Sequence, residues 1–164
     1  MNDEQRLIVS IIDKHQLWVD THGKEGECAN LRGKDLMSPK LIGASLKGAD
    51  LQSADLEDAI LIDADLSYAN LRGADLEDAV LIGANLTEAK LAGARLLDAN
   101  LGAANLSNAD LRGIIFSGTN LIGVNLDGAD ITGCDFTDAT VYGVDFKAAI
   151  GWEKAKGIPD QPCP

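Results

Sequence analysis

Large aromatic side chains are scarce in this 164-residue chain, where Phe, Trp and Tyr together make up 4% of the sequence. Such side chains dominate the buried area of ordinary cores, so a globular core of large side chains is not expected. Cysteine is scarce as well, and Cys28, Cys134 and Cys163 do not have the spacing of a disulfide framework. We expect free thiols in a reducing compartment, the cytoplasm.

Positive charge is also in short supply, because 14 Lys and Arg face 26 Asp and Glu, for a net charge of -12. Contacts with nucleic acids and anionic membranes require Lys and Arg, so neither is an expected partner. No apolar run approaches the roughly 18 residues of a membrane span, and the polar, acidic first residues are unlike a secretory signal. A basic partner protein remains compatible with this charge.

What the chain does contain is a five-residue repeat. Every fifth residue from Leu31 to Phe146 is apolar, which makes 24 consecutive positions, called centres below. Two residues before the centres, the positions from Ala44 to Ala109 are 14 uninterrupted alanines. One residue before the centres, 16 of 24 positions are Asp or Asn, and Gly is frequent two residues after them. A period of five fits neither a helix nor a long alternating strand.

Each unit is best interpreted as a very short strand followed by a turn. The small residue and the centre are two positions apart, so they point the same way in an extended chain. Asp, Asn and Gly supply the turn chemistry. Stacked turns then form a solenoid with strands ~4.8 Å apart and with Leu on Leu and Ala on Ala inside. The alanines are explained by close approach of the backbone.

Units such as Ala49-Asp50-Leu51-Gln52-Ser53 and Ala69-Asn70-Leu71-Arg72-Gly73 resemble the pentapeptide repeat family, over roughly three quarters of the chain. The resemblance implies an all-β solenoid, a right-handed quadrilateral β-helix with four units per coil. Twenty-four units then give about six coils. Larger residues at the small-residue position predict looser or wider units near both ends: Lys34, Pro39, Ile114, Thr119, Val124, Cys134 and Val144.

The two ends of the solenoid require covers, because open strand edges associate. Residues 1–23 predict an N-terminal α-helical cap that starts at Asn2 or Asp3 and stops at Gly23. Its apolar residues are predicted to share one side: Leu7, Ile8, Ile11, Ile12, Trp18 and Val19. The repeat occupies residues 24–148, and residues 149–164 are predicted to cover the last coil after the frame breaks at Gly151, through Trp152, Ile158 and the prolines that follow.

Signals of catalysis are weak. His15 and His22 lack a metal-ligand spacing, and Gly23-Lys24-Glu25-Gly26 lacks the spacer of a phosphate-binding loop. Cys134 occupies an inward position and is interpreted as a core filler rather than a nucleophile. The abundant Asp is required by the repeat. We therefore expect no enzyme activity, no metal and no cofactor.

Outward side chains that recur at every fourth unit share a wall, and the four walls differ. One wall, the acidic wall, has a net charge of -9 from ten carboxylates and Arg95: Asp35, Asp55, Glu57, Asp58, Asp75, Glu77, Asp78, Asp98, Asp135 and Asp138. The next, the aliphatic wall, bears charge only at Lys40 and Asp63, and its candidate interface is Ile42, Ile60, Ile62, Val80, Ile82, Ile122 and Tyr142. The mixed wall, opposite the aliphatic one, holds Arg32, Arg72, Lys90 and Arg112, and the fourth wall is rich in Asn.

Two interpretations of each distinctive wall remain open. The aliphatic wall is either an interface, in its simplest form that of a homodimer, or a set of tolerated residues covered by the cap or tail. The acidic wall is either a solvated face or a ladder of charge for a basic groove. The leading hypothesis is a binding scaffold for a protein partner or for itself. The alternative, suggested by the family resemblance, is a DNA-mimicking inhibitor or protector of a type II topoisomerase such as DNA gyrase.

Overall fold

The computed structural model describes residues 3–36 and 41–159 of the chain. It begins with an α-helix, α1, at Asp3–Asp20. Two short 3₁₀ helices lie at the C-terminal end, Phe146–Ala148 at the last centre of the repeat and Trp152–Lys154 after it. Elsewhere in the described residues, the regular elements are isolated parallel bridges, each one residue long, that join neighbouring coils. The strands of this fold are thus as short as the five-residue period requires.

The bridges join residues that are four units apart, so that four units make one coil. The longest series runs Asn30, Asp50, Asn70, Lys90, Asp110, Asp130 and Ile150. At each step two backbone hydrogen bonds form: Leu51 N–H donates to the Asn70 carbonyl at 2.8 Å, and Asn70 N–H donates to the Ala49 carbonyl at 2.9 Å. The predicted stacking of like positions at every fourth unit is therefore present.

A turn follows each centre, and the polar residue before the centre supports it. In the unit around Leu51, Ala54 N–H donates to the Leu51 carbonyl at 3.0 Å, and Ser53 has a left-handed φ of 56°. This is the pattern of a type II turn, which favours glycine at its third residue. Asp50 Oδ1 accepts the Gln52 N–H at 3.1 Å. The frequent Asp, Asn and Gly are thus explained by turn geometry.

The apolar core is a single cluster that runs along the inside of the coils. All of the centres are buried except Val141, which is partly buried, and the inward alanines from Ala49 to Ala109 are buried beside them. Larger residues near the C-terminal end also turn inward. The Thr119 hydroxyl donates to the Leu96 carbonyl at 2.7 Å, and the Cys134 thiol donates to the Leu111 carbonyl at 3.0 Å. These bonds satisfy the buried polar atoms.

Helix α1 packs on this cluster at the start of the repeat. Ile8 belongs to the cluster, and Ile11 and Ile12 pack against it. The predicted apolar side is partly wrong, because Leu7 is exposed and His15 is fully buried instead. The segment has apolar residues on more than one side, and packing on the first coil selects the Ile8 side. The turn that ends the helix is closed by Gly23, which has a left-handed φ of 79° and whose N–H donates to the Trp18 carbonyl at 2.8 Å.

The C-terminal end shows the predicted break in the frame. Asp130 pairs with Ile150, which keeps the spacing of four units, whereas Asp135 pairs with Lys156, one position further along the chain than that spacing requires. The extra residue is accommodated at Gly151, which has a φ of 75°. Trp152 and Ile158 then pack against the core cluster. Other predicted end residues lie outside the described part of the chain: Asn2, Pro39, Pro162 and Pro164.

The left-handed turn positions predict a stabilising substitution. Ala103 has a φ of 56° and is exposed, and an L-residue pays about 1–2 kcal/mol for this conformation where glycine does not. After the larger chain entropy of glycine is subtracted, Ala103→Gly is expected to raise the free energy of unfolding by about 0.5–1 kcal/mol. Urea denaturation followed by circular dichroism measures the change.

The adjacent Ala104 is the matched control, because it is buried and its φ is not positive. Ala104→Gly removes a buried methyl group and adds chain entropy, so it is expected to lower stability by about 1–2 kcal/mol. Destabilisation of similar size in both variants would contradict the assignment of strain to the turn.

Candidate interaction surfaces

The aliphatic wall lies on one side of the coils, as the register of four units per coil requires. Ile42, Ile82, Ile122 and Tyr142 are exposed, whereas Ile60, Ile62 and Val80 are half-buried. Ile60 and Val80 pair directly through a parallel bridge. The described residues thus form a continuous aliphatic patch across the first three coils of this wall.

Polar residues separate the rest of the aliphatic wall from this patch. The row of Ile42, Ile62 and Ile82 is interrupted at Gly102, before it resumes at Ile122 and Tyr142. In the neighbouring row, the Asn120 amide donates to Asn100 Oδ1 at 3.0 Å. Asn100 Oδ1 also accepts the Gly102 N–H at 3.1 Å. The seven residues predicted as one interface therefore divide into a patch of five and a separate pair.

The carboxylates of the acidic wall occupy three positions relative to the centres, and their exposure differs. Asp55 and Asp75 precede a centre, are half-buried and hold turns: Asp55 Oδ1 accepts the Glu57 N–H at 3.2 Å, and Asp75 Oδ1 accepts the Glu77 N–H at 3.2 Å. Glu57 and Glu77, which directly follow a centre, are half-buried as well, whereas Asp35 is exposed. The carboxylates at the second position after a centre are exposed and have a left-handed backbone conformation: Asp58, Asp78, Asp98 and Asp138. These four carboxylates project their charge from the wall into solvent.

Arg95 divides the acidic wall in the middle. Its guanidinium donates to the carboxylates of both Asp75 and Glu77. Lower on the wall, the pKa of Glu57 is raised, first by desolvation and then by the charges of Asp55, Glu77, Asp58 and Asp75. Four neighbouring carboxylates thus act on Glu57, whereas Arg95 pairs with two of the carboxylates of the wall.

Two of the three arginines of the mixed wall, Arg72 and Arg112, are held by carboxylates of the same wall. Arg72 and Arg112 both donate to Asp110 Oδ2, at 2.9 and 3.0 Å. The hydrogen bond from Arg112 is the main reason that the pKa of Asp110 is lowered. Arg32 donates to Gln52 Oε1 at 2.8 Å. The carboxylates of this wall thus pair with two of its four basic residues, while Arg32 meets a neutral amide and Lys90 is exposed.

A groove interrupts the acidic wall where sequence reasoning gave no signal of one. It has a volume of about 300 Å³ and is lined by Gly93, Ala94, Arg95, Leu96, Leu97, Gly113 and Ile115. The Ile115 side chain is 64% exposed and that of Leu97 is 37% exposed. The groove therefore brings two apolar side chains to the surface beside an acidic wall.

The groove coincides with a gap in the ladder of backbone hydrogen bonds. One coil earlier, Leu76 N–H donates to the Arg95 carbonyl at 2.8 Å, and one coil later Phe116 N–H donates to the Asp135 carbonyl at 2.8 Å. Within residues 41–159, the equivalent bonds between Ala94–Leu96 and Ile114–Phe116 are missing, and so is the bridge from Arg95 to Ile115. The two coils are separated at this corner.

The cause is a step in the size of the inward residues. Below the gap the wall is built on Ala94 and Leu96, whereas above it Ile114 and Phe116 occupy the same positions, all of them buried. Larger residues above smaller ones displace the upper backbone outward. The Phe116 ring also stacks on Phe136, with centroids 4.8 Å apart. Larger residues continue above the gap, so the ladder resumes there.

Comparison with known proteins agrees with this geometry. The model of pentapeptide repeats (8 copies) matches residues 28–58, 40–78, 59–98 and 99–138. The chain belongs to the pentapeptide repeat family. Proteins of this family fold as right-handed quadrilateral β-helices, in keeping with four units per coil. No curated protein matches the chain.

Solved structures of other pentapeptide repeat proteins are similar to this one. Protein alr5209 from Nostoc PCC 7120 is 34% identical, with a TM-score of 0.53, over 62% of this chain and 83% of that chain. AT2G44920 from the Arabidopsis thaliana thylakoid lumen is 36% identical, with a TM-score of 0.38, over 59% and 61%. Rfr23 from Cyanothece 51142 is 32% identical, with a TM-score of 0.33, over 78% and 67%.

Titratable groups in this pentapeptide repeat protein are concentrated on the acidic wall, but in the described residues they do not form a metal site. Among the described residues, no three or more His, Cys, Asp or Glu are grouped so as to hold a metal ion. Burial raises the pKa of Cys134 to about 11, so its thiol stays protonated at neutral pH and fits the predicted core filler. In the part of the chain that the structure describes, no helix is both long and apolar enough to cross a membrane.

His15 is the buried titratable group of α1. Its Nδ1 accepts the Ala29 N–H at 3.0 Å, and its ring stacks on Trp18 with centroids 5.6 Å apart. Burial lowers the pKa of His15 below the ordinary 6.5, against a smaller opposing effect of a backbone hydrogen bond at Lys47. The nearby ion pair of Lys14 and Glu27 is exposed. The fold therefore favours the neutral ring.

This lowered pKa predicts an acid-sensitive attachment of α1. The contribution of neutral His15 to stability is fully present above pH 6.5 and decreases as the pH falls below 6.5 towards the lower pKa of the folded state. Protonation of Nδ1 also breaks the bond from Ala29. We expect looser packing of α1 at pH 5 than at pH 7.5, measured by Trp18 fluorescence with Trp152 replaced by Phe. His15→Asn keeps an acceptor and is expected to remove this pH dependence, while His22→Gln is expected to retain it.

Proposed function

We propose that this protein is a non-enzymatic binding scaffold that associates with a protein partner or with a second copy of itself through its flat walls. The observation that carries this proposal is the continuous patch of Ile42, Ile60, Ile62, Val80 and Ile82 on the aliphatic wall. Contiguous exposed apolar surface is typical of interfaces. In the described residues, the 3₁₀ helices Phe146–Ala148 and Trp152–Lys154 fall in the register of the Asn-rich and mixed walls, so they do not cover this patch.

The finer architecture that we propose is a right-handed quadrilateral β-helix of about six coils, with α1 as the cap of the first coil. The family fold and the parallel bridges between residues four units apart support the coil geometry. The contact of Ile8 with the core cluster supports the cap. A rod of this kind keeps its walls fixed, so an interface on one wall is already organised before a partner binds.

Self-association through the aliphatic wall is the form of the proposal that is tested most directly. Each aliphatic side chain that is removed from water contributes about 1–2 kcal/mol, with less from the three that are already half-buried. In a symmetric dimer both copies contribute a patch, which offsets the cost of association. The double variant Ile62→Asp and Ile82→Asp places two charges in the patch. It is expected to be monomeric by analytical ultracentrifugation at concentrations where the original protein is dimeric.

A matched control adds the same two charges to the mixed wall at equivalent repeat positions, through Gln52→Asp and Ala92→Asp. This control is expected to retain the dimer. A monomeric original protein, or equal loss of the dimer in both double variants, would contradict self-association through the aliphatic wall.

DNA mimicry directed at a type II topoisomerase is a second candidate function. It is supported by the ten carboxylates of the acidic wall, whereas their partial use in turns and the ion pairs of Arg95 weaken the likeness to a duplex. This candidate predicts inhibition or protection of DNA gyrase at micromolar protein. It also predicts a weaker effect after three exposed charges are removed: Asp58→Asn, Asp78→Asn and Asp98→Asn.

The supercoiling assay needs a control that loses the same net charge from other walls, namely Asp63→Asn, Glu88→Gln and Asp127→Asn. Asn tolerates the left-handed turn positions, so the acidic-wall variant is expected to stay folded. Absence of any effect of the original protein on gyrase at micromolar concentration would contradict DNA mimicry.

A further inference from the structure

Three properties of the groove on the acidic wall indicate what kind of ligand it can bind. The first is its apolar lining, in which Leu97 and Ile115 are exposed beside Ala94 and the glycines Gly93 and Gly113. A volume of about 300 Å³ is at the lower end of the range for ligand pockets. It suits a single branched side chain with its backbone rather than a large cofactor.

The second property is a set of backbone groups without partners. Among residues 41–159, neither the Leu96 N–H nor the Ile115 N–H has a hydrogen-bonding partner. In the coil below, the corresponding Leu76 and Arg95 N–H groups are both bonded, at 2.8 and 3.0 Å. By the register of the intact coils, the Leu96 N–H faces the following coil and the Ile115 N–H faces the preceding coil, so both donors lie inside the opening. Successive carbonyl groups of an extended peptide point in opposite directions, so a peptide in the opening can accept a hydrogen bond from each side.

The third property is the charge around the groove. Asp75, Glu77 and Asp78 lie in the coil below, and Asp98 follows Leu97 directly. Arg95, the basic residue in the lining, is already paired with Asp75 and Glu77. An acidic occupant, including a second copy of this chain with its net charge of -12, would be repelled. A basic occupant is attracted.

We propose that the groove binds an extended, lysine-rich or arginine-rich segment of a partner protein, which places one aliphatic side chain between Leu97 and Ile115. Its backbone carbonyls accept hydrogen bonds from the Leu96 and Ile115 N–H groups, and its basic side chains face the acidic wall. The proposal shares with the proposed function only the premise that this protein binds other proteins. It uses a different wall and does not require the aliphatic patch.

The probe is a fluorescein-labelled peptide, Lys-Ala-Lys-Leu-Lys-Ala-Lys, acetylated and amidated at its ends, titrated with the full chain and followed by fluorescence anisotropy. Binding in the range of about 10–100 μM is expected for so small an interface. A peptide with Ser in place of Leu is expected to bind about tenfold more weakly, because it cannot fill the groove. A peptide with N-methylated Leu, which disturbs pairing of the extended backbone, is expected to be weakened as well.

Two lysine variants separate the groove from general electrostatics. Ile115→Lys places a charge in the groove and is expected to weaken binding about tenfold, whereas Ile122→Lys adds the same charge to the aliphatic wall and is expected to change it less than about twofold. Both original side chains are exposed, so both variants are expected to fold. Equal weakening by the two variants, or equal binding of the Leu and Ser peptides, would overturn the proposal.

Amide hydrogen exchange gives a second readout. In the free protein, the Leu96 and Ile115 amides are expected to exchange about 100-fold faster than the Leu76 and Arg95 amides. The probe peptide is expected to slow exchange at Leu96 and Ile115. No slowing at saturating peptide would overturn backbone pairing, and no binding of the peptide would overturn the groove as its site.

Failure of this proposal can be told apart from failure of the proposed function. The ultracentrifugation test of Ile62→Asp and Ile82→Asp concerns the aliphatic wall alone, and that variant is expected to bind the peptide normally. If the protein is a dimer but does not bind the peptide, the groove proposal is contradicted and the binding scaffold is supported. If the protein is a monomer that binds the peptide through Ile115, self-association is contradicted and the groove proposal is supported.

Discussion

The whole structure depends on one constraint, the parallel hydrogen bonding of each coil to the next coil in a register of four repeat units. Because this register is fixed, every inward side chain lies on the side chain of the same repeat position below it. The alanine series from Ala49 to Ala109 meets the constraint by uniformity. A change of size at both inward positions is absorbed by the backbone where Ala94 and Leu96 are followed by Ile114 and Phe116, and there the ladder opens.

The same register determines which outward side chains are available to contact a partner. The residue before each centre pairs with the next coil and, when it is Asp or Asn, also holds its own turn, as Asp50 does for Gln52. The side chains of the residues after the centre are less involved in pairing between coils and in holding turns. Charges such as those of Asp58 and Asp78 are therefore available to a partner, whereas Asp55 and Asp75 are partly committed to the fold.

Much of the fold could be predicted from sequence because each unit repeats the same signal. The apolar centres, the inward alanines, the polar turn residues and the frame break at Gly151 are all readable from the five-residue period. The orientation of α1 was predicted less well. Its sequence alone does not specify that Ile8 and His15, rather than Leu7, contact the first coil, because that choice depends on the shape of the coil.

The candidate surfaces, too, could be predicted from the sequence only in part. Counting four units at a time placed the aliphatic and acidic residues on their walls, but it could not detect the groove, since Ile114 and Phe116 each satisfy the requirement for an apolar inward residue. The change of size that opens the groove is visible only when Ile114 and Phe116 are compared with the residues four units earlier, Ala94 and Leu96. A flat wall offers a partner area and charge but little shape, and rigid donors in a groove add shape at low entropic cost. Selectivity in a regular rod is therefore expected where successive coils do not match in size.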